Sequence, residues 1–368
     1  MRKWLRVLAV VAVIALVAAA CAEEEEPQAT GPTGETAATG PTAETGALPG
    51  AGMKACQVTD TGGIDDKSFN QTAWAGAEQA ATELGVEAKF LESQTQDDYL
   101  PNIQAFIDEG CDIIITVGFL LGDATAEAAQ ANPDQPFAIV DFGYDPVIDN
   151  VLGLTFATDQ AAFLAGYLAA GMTETGKVAT YGGIEIPTVT IFMDGLLAGV
   201  RAYNQDNGTS VEVLGWNGKT GSFTGNFENQ DDGRRLTQDF IDEGADIVLP
   251  VAGPVGFGTT AAAQDNPGTK VVWVDTDGCV SASEFCDLFL TSIMKNMDVA
   301  VFDSINSVVE GTFEGGFYTG TLENNGVQIA PFHEFEGDVP AELASKLDEL
   351  KQGIIDGSVS VSPGDYPA

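Results

Sequence analysis

The chain reads as an α/β protein of two lobes, each a doubly wound parallel sheet with helices on both faces. Three observations predict this. A segment occurs twice: residues 106–141 and 240–275 align without a gap at a constant offset of 134, with 17 identities in 36 positions. Each copy runs through the same series of helix end, apolar strand, loop, helix and second strand, and closes on an acid, Asp141 or Asp275. Strand-like runs and helical patterns also alternate through the rest of the chain from residue 54, and such alternation gives parallel sheets covered on both faces. Two copies so far apart are not the short, numerous units of a solenoid. They mark two similar lobes.

The chain opens on Arg2, Lys3 and Arg6, an apolar run over 7–17, and then Ala18-Ala19-Ala20-Cys21. That run is too short for a membrane span and has the form of a signal peptide over residues 1–21. Small residues before a Cys resemble the bacterial lipobox, with Ala18 where Leu is usual. Cys21 is therefore the expected lipid attachment site, holding the protein outside the cytoplasmic membrane; ordinary signal cleavage is the alternative. Residues 22–53 read as a linker: an acid run at 23–26 is followed by ATGPT at 29–33 and again at 38–42. This composition cannot bury a core.

Charge excludes whole classes of partner. There are 15 basic and 55 acidic residues, and without the three basic residues of the first six positions the balance falls to 12 against 55, near −43. Nucleic acid and anionic lipid both require basic surface. An exported chain sits where disulfides persist, and four cysteines remain after Cys21. Cys279 and Cys286 share a loop. Cys56 and Cys111 open strands expected to be neighbours, so the pairings read as Cys56–Cys111 and Cys279–Cys286. The cysteine spacings fit no zinc pattern, and with a single histidine, His333, no metal site and no cofactor are expected.

From residue 54 the elements follow in order. A strand at 55–59 ends in Asp60. Ser68 is a suitable N-cap for a helix whose apolar face is Phe69, Ala73, Trp74, Ala77, Ala80, Ala81 and Leu84, ended by Gly85. A strand at 86–91, a helix at 99–109, the two strands of the first repeat and a strand at 151–155 complete one lobe. A helix at 159–172, a strand at 177–181, a helix at 188–203 and a strand at 211–216 begin the other, which continues through the second repeat to a strand at 289–294. A long helix at 296–309, strand-forming stretches at 316–322 and 327–331, and an amphipathic helix at 340–355 close the chain.

Ligands of open α/β sheets bind beyond the carboxyl ends of the strands. Asp60, Asp141 and Asp275 each follow an apolar strand there, and the last two are equivalent by the repeat. A strand-end Asp is ordinarily a turn former or cap; three, two of them related by duplication, favour a shared cleft. In the stretch between Asp60 and Asn70 the glycines allow backbone to approach a ligand, and Phe69 and Asn70 open a helix. Phe69 is otherwise a core residue, and Asp65 and Asp66 suit the helix dipole. Phe223, in Gly221-Ser222-Phe223-Thr224, offers a second aromatic with which to stack a planar ligand. Phe192 is a rival, but Ile191, Leu196 and Val200 on its helix favour core. Lys295 follows a strand and can balance Asp275; the plain alternative is a solvated lysine at a helix start.

The motifs VTDTGGIDDKSFNQ (58–71), FIDEGCDIII (106–115), VDF (140–142), GSF (221–223), FIDEGADIV (240–248), VDTDG (274–278) and LTSIMKNMDVAV (290–301) together resemble the basic membrane protein family of substrate-binding lipoproteins, the purine nucleoside receptors of ABC importers. The resemblance covers about residues 55–368. It implies a periplasmic-binding-protein type I fold, with two lobes joined by a three-strand hinge that closes on ligand. The lobes would then be 54–157 with about 295–322, and 158–294 with about 323–368. It also implies ligand-binding roles for Asp60, Phe69, Asn70, Asp141, Phe223, Asp275 and Lys295, and more weakly for Gly253. Phe69 and Phe223 would sandwich a base, and Asp275 with Lys295 would hold ribose hydroxyls. Expected partners are a nucleoside, an ABC permease and the membrane through a lipid anchor, with the protein itself a monomer and not an enzyme. A sugar or other small molecule is the alternative ligand. A metal-dependent nucleoside hydrolase built on Asp60, Asp65 and Asp66 is the enzymatic alternative.

Overall fold

The computed structural model describes residues 47–367. The signal segment, Cys21 and the linker up to residue 46 lie outside the described residues. Among the described residues no helix is long and apolar enough to cross a membrane.

The first lobe starts with β1 (Lys54–Thr59), α1 (Phe69–Glu83), β2 (Glu87–Leu91), α2 (Tyr99–Glu109), β3 (Ile113–Val117), α3 (Gly122–Ala131), β4 (Phe137–Val140) and β5 (Val151–Phe156). The second holds α4 (Thr158–Met172), β6 (Lys177–Gly182), α5 (Pro187–Asn207), β7 (Glu212–Leu214), α6 (Gln230–Asp242), β8 (Ile247–Val251), α7 (Gly256–Asp265), β9 (Lys270–Asp275), the short α8 (Gly278–Ser281) and β10 (Phe289–Lys295). The chain then returns to the first lobe with α9 (Met297–Glu310), packed on α1, and β11 (Gly316–Gly320). It ends in the second with β12 (Val327–Ile329) and α10 (Ala341–Ile355), packed on α4.

The strand orders are β11-β5-β4-β3-β1-β2 and β12-β10-β9-β8-β6-β7. The duplicated strands β3 and β8 are buried at every position. Their near-continuous apolar sequences, IIITV and IVLPV, are what a sheet covered on both faces requires. All pairs are parallel except β10–β12. The sequence pattern leads to parallel sheets throughout, and β12 departs from it for a topological reason. It starts beside Lys295, where β10 ends, because the chain arrives there directly from the hinge and can only run back along its neighbour. The strand expected over 211–216 is also cut to Glu212–Leu214. Gly215 turns with φ 80°, so tightly that a Cβ there would sit 2.0 Å from the Thr180 carbonyl oxygen.

Three passages join the lobes: after β5, after β10, and between β11 and β12. They are bound to one another. The Ala157 N–H donates to the Gly320 carbonyl at 2.8 Å, and the Asn296 N–H to the Gly326 carbonyl at 2.9 Å. Gly320 and Gly326 approach so closely that a Cβ on Gly326 would fall 2.2 Å from the Gly320 Cα. Cys56 is bonded to Cys111, tying β1 to the start of β3, and Cys279 is bonded to Cys286.

The centre of the second lobe is α4, TDQAAFLAGYLAAGM, apolar around its whole circumference and buried from Ala161 to Ala170. Such a helix needs neighbours on every side. Its main neighbour, α5, gains close approach through Gly195 and Gly199, where added Cβ atoms would lie 2.6 Å from the Asp159 carbonyl and 2.0 Å from the Phe163 carbonyl.

Candidate ligand-binding cleft

A cavity lies between the lobes at the carboxyl ends of the strands. Asp60, Phe69, Asn70, Asp141, Gly253, Asp275 and Lys295 all line it. Phe223 does not. It forms a short bridge to Gly182 beside β6 and packs edge-on against Trp216, ring centroids 6.1 Å apart. The aromatics that join Phe69 around the cavity are Phe119, Phe192 and Phe227.

Lys295 is at the centre. Its side chain is 2 % exposed, and its Nζ donates to Asp141 Oδ2 at 2.7 Å and lies 3.1 Å from Asp275 Oδ1. The second contact is at ion-pair distance but lacks hydrogen-bond alignment, so Asp275 Oδ1 is buried with no hydrogen-bond donor among the described residues. The other Asp275 oxygen accepts from the Ser68 hydroxyl at 2.9 Å. The Nζ also lies 4.6 Å from the centroid of the Phe69 ring and 5.3 Å from that of Phe192, within cation–π range.

These neighbours are paired by the duplication. Asp141 and Asp275 are 134 residues apart, like the repeat, and both have left-handed backbone, φ 64° and φ 70°. This conformation is uncommon outside glycine and costs an L-residue energy, yet it occurs at both equivalent strand ends. The sheet registers extend the correspondence. Thr59 faces Val117 and Gly182 faces Val251, so Thr59 and Gly182 are equivalent at an offset of 123, and adding 123 to 69 gives 192. Phe192 is thus the counterpart of Phe69. One lysine is flanked by two equivalent acids and two equivalent phenylalanines.

A second polar group gathers where β1 leads into α1. Asn70 Nδ2 donates to Asp60 Oδ1 at 2.7 Å, and the Gly62 N–H to the same oxygen at 3.1 Å. Asn70 Oδ1 is buried without a donor among the described residues. The capping of α1 differs from expectation. The Asp66 carboxylate, not Ser68, accepts the N–H groups of Ser68, Asn70 and Gln71 at 3.0, 2.7 and 3.0 Å. Ser68 is engaged across the cleft with Asp275. The carboxylate trio of the hydrolase alternative does not converge either, since Asp65 is exposed and Asp66 is engaged with the helix.

The cleft is an anionic cluster around one cation. Burial pushes Asp60 and Asp141 above the ordinary carboxylate range, against the pull of Asn70 and Lys295 respectively. Burial pushes Asp66 up to about 7, opposed by its backbone donors. Burial works against charge on Lys295, but Asp141 and Asp275 outweigh it and hold the ammonium above its usual range. Chemically the site combines aromatic walls with buried acceptors, suited to a neutral ligand that has a flat face and several hydroxyl or N–H donors.

Sequence reasoning set Phe192 aside as core and did not place Phe119 or Phe227 among the ligand-binding residues. Phe192 had a signal, its 123-residue register with Phe69; Phe119 lies in the loop after β3, equivalent to Gly253 after β8 at the 134 offset. Nothing in the sequence pattern distinguishes Phe227 from Phe223.

Known proteins resemble this chain over most of its length. Residues 53–362 match the family model described as ABC transporter substrate-binding protein PnrA-like. The ABC transporter nucleoside-binding protein BmpA of Lactococcus lactis is 30% identical over 330 residues, covering 84% of this chain and 89% of that protein. Basic membrane protein A of Borreliella burgdorferi is 32% identical over 307 residues, covering 82% and 85% respectively. A crystal structure of an ABC transporter solute-binding protein from Aeropyrum pernix superposes with a TM-score of 0.75 at 27% identity, over 84% of this chain and 92% of that one. The two sheets and their hinge form the type I periplasmic-binding fold of such proteins, and the chain belongs to the PnrA-like family of ABC transporter substrate-binding proteins.

Proposed function

We propose that this protein is a nucleoside receptor of an ABC importer, held by a lipid on Cys21 at the outer face of the cytoplasmic membrane, which delivers its ligand to a permease. The observation that carries the reading is the set of equivalent residues around Lys295. Phe69 and Phe192 offer the flat apolar faces a nucleobase needs, with Phe192 taking the role the sequence suggests for Phe223. Asp275 Oδ1 and Lys295 offer an acceptor and a donor to ribose hydroxyls. Asp60 and Asn70 offer further acceptors to the N–H groups of a base. The name of the Lactococcus relative supports the same ligand class, and two Pyrococcus relatives described as lipoproteins support the anchor.

Closure follows from differential contact: a ligand touching both lobes stabilises the arrangement in which they meet. The test is a thermal-shift screen over nucleosides, free bases and sugars, followed by chromatography of nucleosides incubated with the protein and calcium. Stabilisation by nucleosides, recovered intact, is expected. Stabilisation by sugars alone would overturn the ligand, and release of free base would overturn the receptor role.

A further inference from the structure

We propose that reduction of the Cys279–Cys286 disulfide converts the loop after β9 into a zinc site, with Cys279, Cys286, His333 and Asp277 as its four ligands. The chain has one histidine. It lies far along the sequence from these cysteines, yet the fold brings its Nε2 to 2.7 Å from Asp277 Oδ2. Ligand atoms of Asp277, Cys279 and His333 all lie within 4.8 Å of one another. Cys286 shares the place because it is disulfide-bonded to Cys279. A tetrahedral zinc shell with bonds of about 2.0–2.3 Å sets its ligand atoms about 3.3–3.8 Å apart, so small side-chain shifts suffice.

Two further features prepare the site. Asp277 Oδ1 is committed to the Cys279 N–H at 3.0 Å, which fixes the carboxylate and leaves Oδ2 toward the histidine. Below the disulfide, Cys279 and Phe285 pack on buried Trp273 and Phe289, giving the cluster an apolar floor.

In the oxidised protein the sulfurs carry no thiolate, and thiolates are what bind zinc. A dithiol reductant supplies two electrons and two protons. It is oxidised to its own disulfide and leaves Cys279 and Cys286 as thiols. Zinc then binds both sulfurs and displaces the two thiol protons to solvent, with His333 and Asp277 completing the shell. Exposure selects this bond. Cys279 and Cys286 are partly exposed, whereas Cys56 is 0 % and Cys111 4 % exposed, and exposed disulfides exchange first.

The test is a cobalt(II) titration of the full chain, oxidised or treated with a dithiol that is then removed without air. The reduced protein should take up one equivalent of cobalt, with thiolate charge-transfer and tetrahedral bands that zinc abolishes; the oxidised protein should show neither. His333→Ala should weaken binding more than about tenfold, and Cys279→Ser/Cys286→Ser should remove the bands while keeping Cys21, Cys56 and Cys111. Absent bands in the reduced protein, full bands in the double serine variant, or unchanged affinity in His333→Ala would each overturn the proposal.

Discussion

Lys295 shows how much can depend on one side chain. It is buried with two carboxylates beside it, and removing a charge from such a group leaves its partners charged and desolvated. Lys295→Met keeps most of the volume and removes the ammonium. It should lower unfolding stability by about 3–5 kcal/mol, measured by denaturant titration, and Asp141→Asn in the same chain should restore part of the loss. Unchanged stability in Lys295→Met would mean the acids shed their charge without it. The sequence makes this residue conspicuous through the scarcity of lysine, but its burial depends on two strand ends meeting across a hinge. Asp141 and Asp275 were legible because the repeat fixes their equivalence. The second aromatic was less so. Helical periodicity assigns Phe192 to the core, and it is indeed a buried core residue, but one whose ring also borders the cavity. Phe223 depends on how the loop after β7 folds, which no periodicity encodes.

At the scale of the element, the contact between α4 and α5 is set by absent side chains. Gly199 faces the Phe163 carbonyl across a gap that leaves no space for a methyl group. Gly199→Ala carries a better helix former, by about 1 kcal/mol, yet should destabilise by about 1–3 kcal/mol because two backbones must part. A thermal melt with an unmoved or raised midpoint would show that the helix pair can slide to accommodate it. Strands and helices were legible here because hydrophobic runs and periodicity are local properties. The antiparallel course of β12 was not, because it is decided by where the hinge delivers the chain, and the shortness of β7 comes from a tertiary approach at Gly215.

At the scale of the molecule, the net charge of −40 sets colloidal and thermal behaviour together. Like charges crowd as the chain folds, and salt shortens their reach from about 10 Å at 0.1 M to about 3 Å at 1 M. The melting midpoint should therefore rise steadily with sodium chloride across that range; a flat or falling midpoint would mean the acids are balanced locally. The hinge carries a different consequence, one of parity. Three is an odd number of passages, so the chain enters through one jaw and leaves through the other. Gly50 donates to the Leu84 carbonyl at 2.8 Å, at the end of α1, while α10 rests on α4. If the proposed lipid on Cys21 holds the amino end, it holds only the first jaw directly, and the second jaw carries the carboxyl terminus. On that proposal, a dye near that terminus would sweep the arc of closure relative to the membrane, and one beside Leu48 would keep its distance from the membrane.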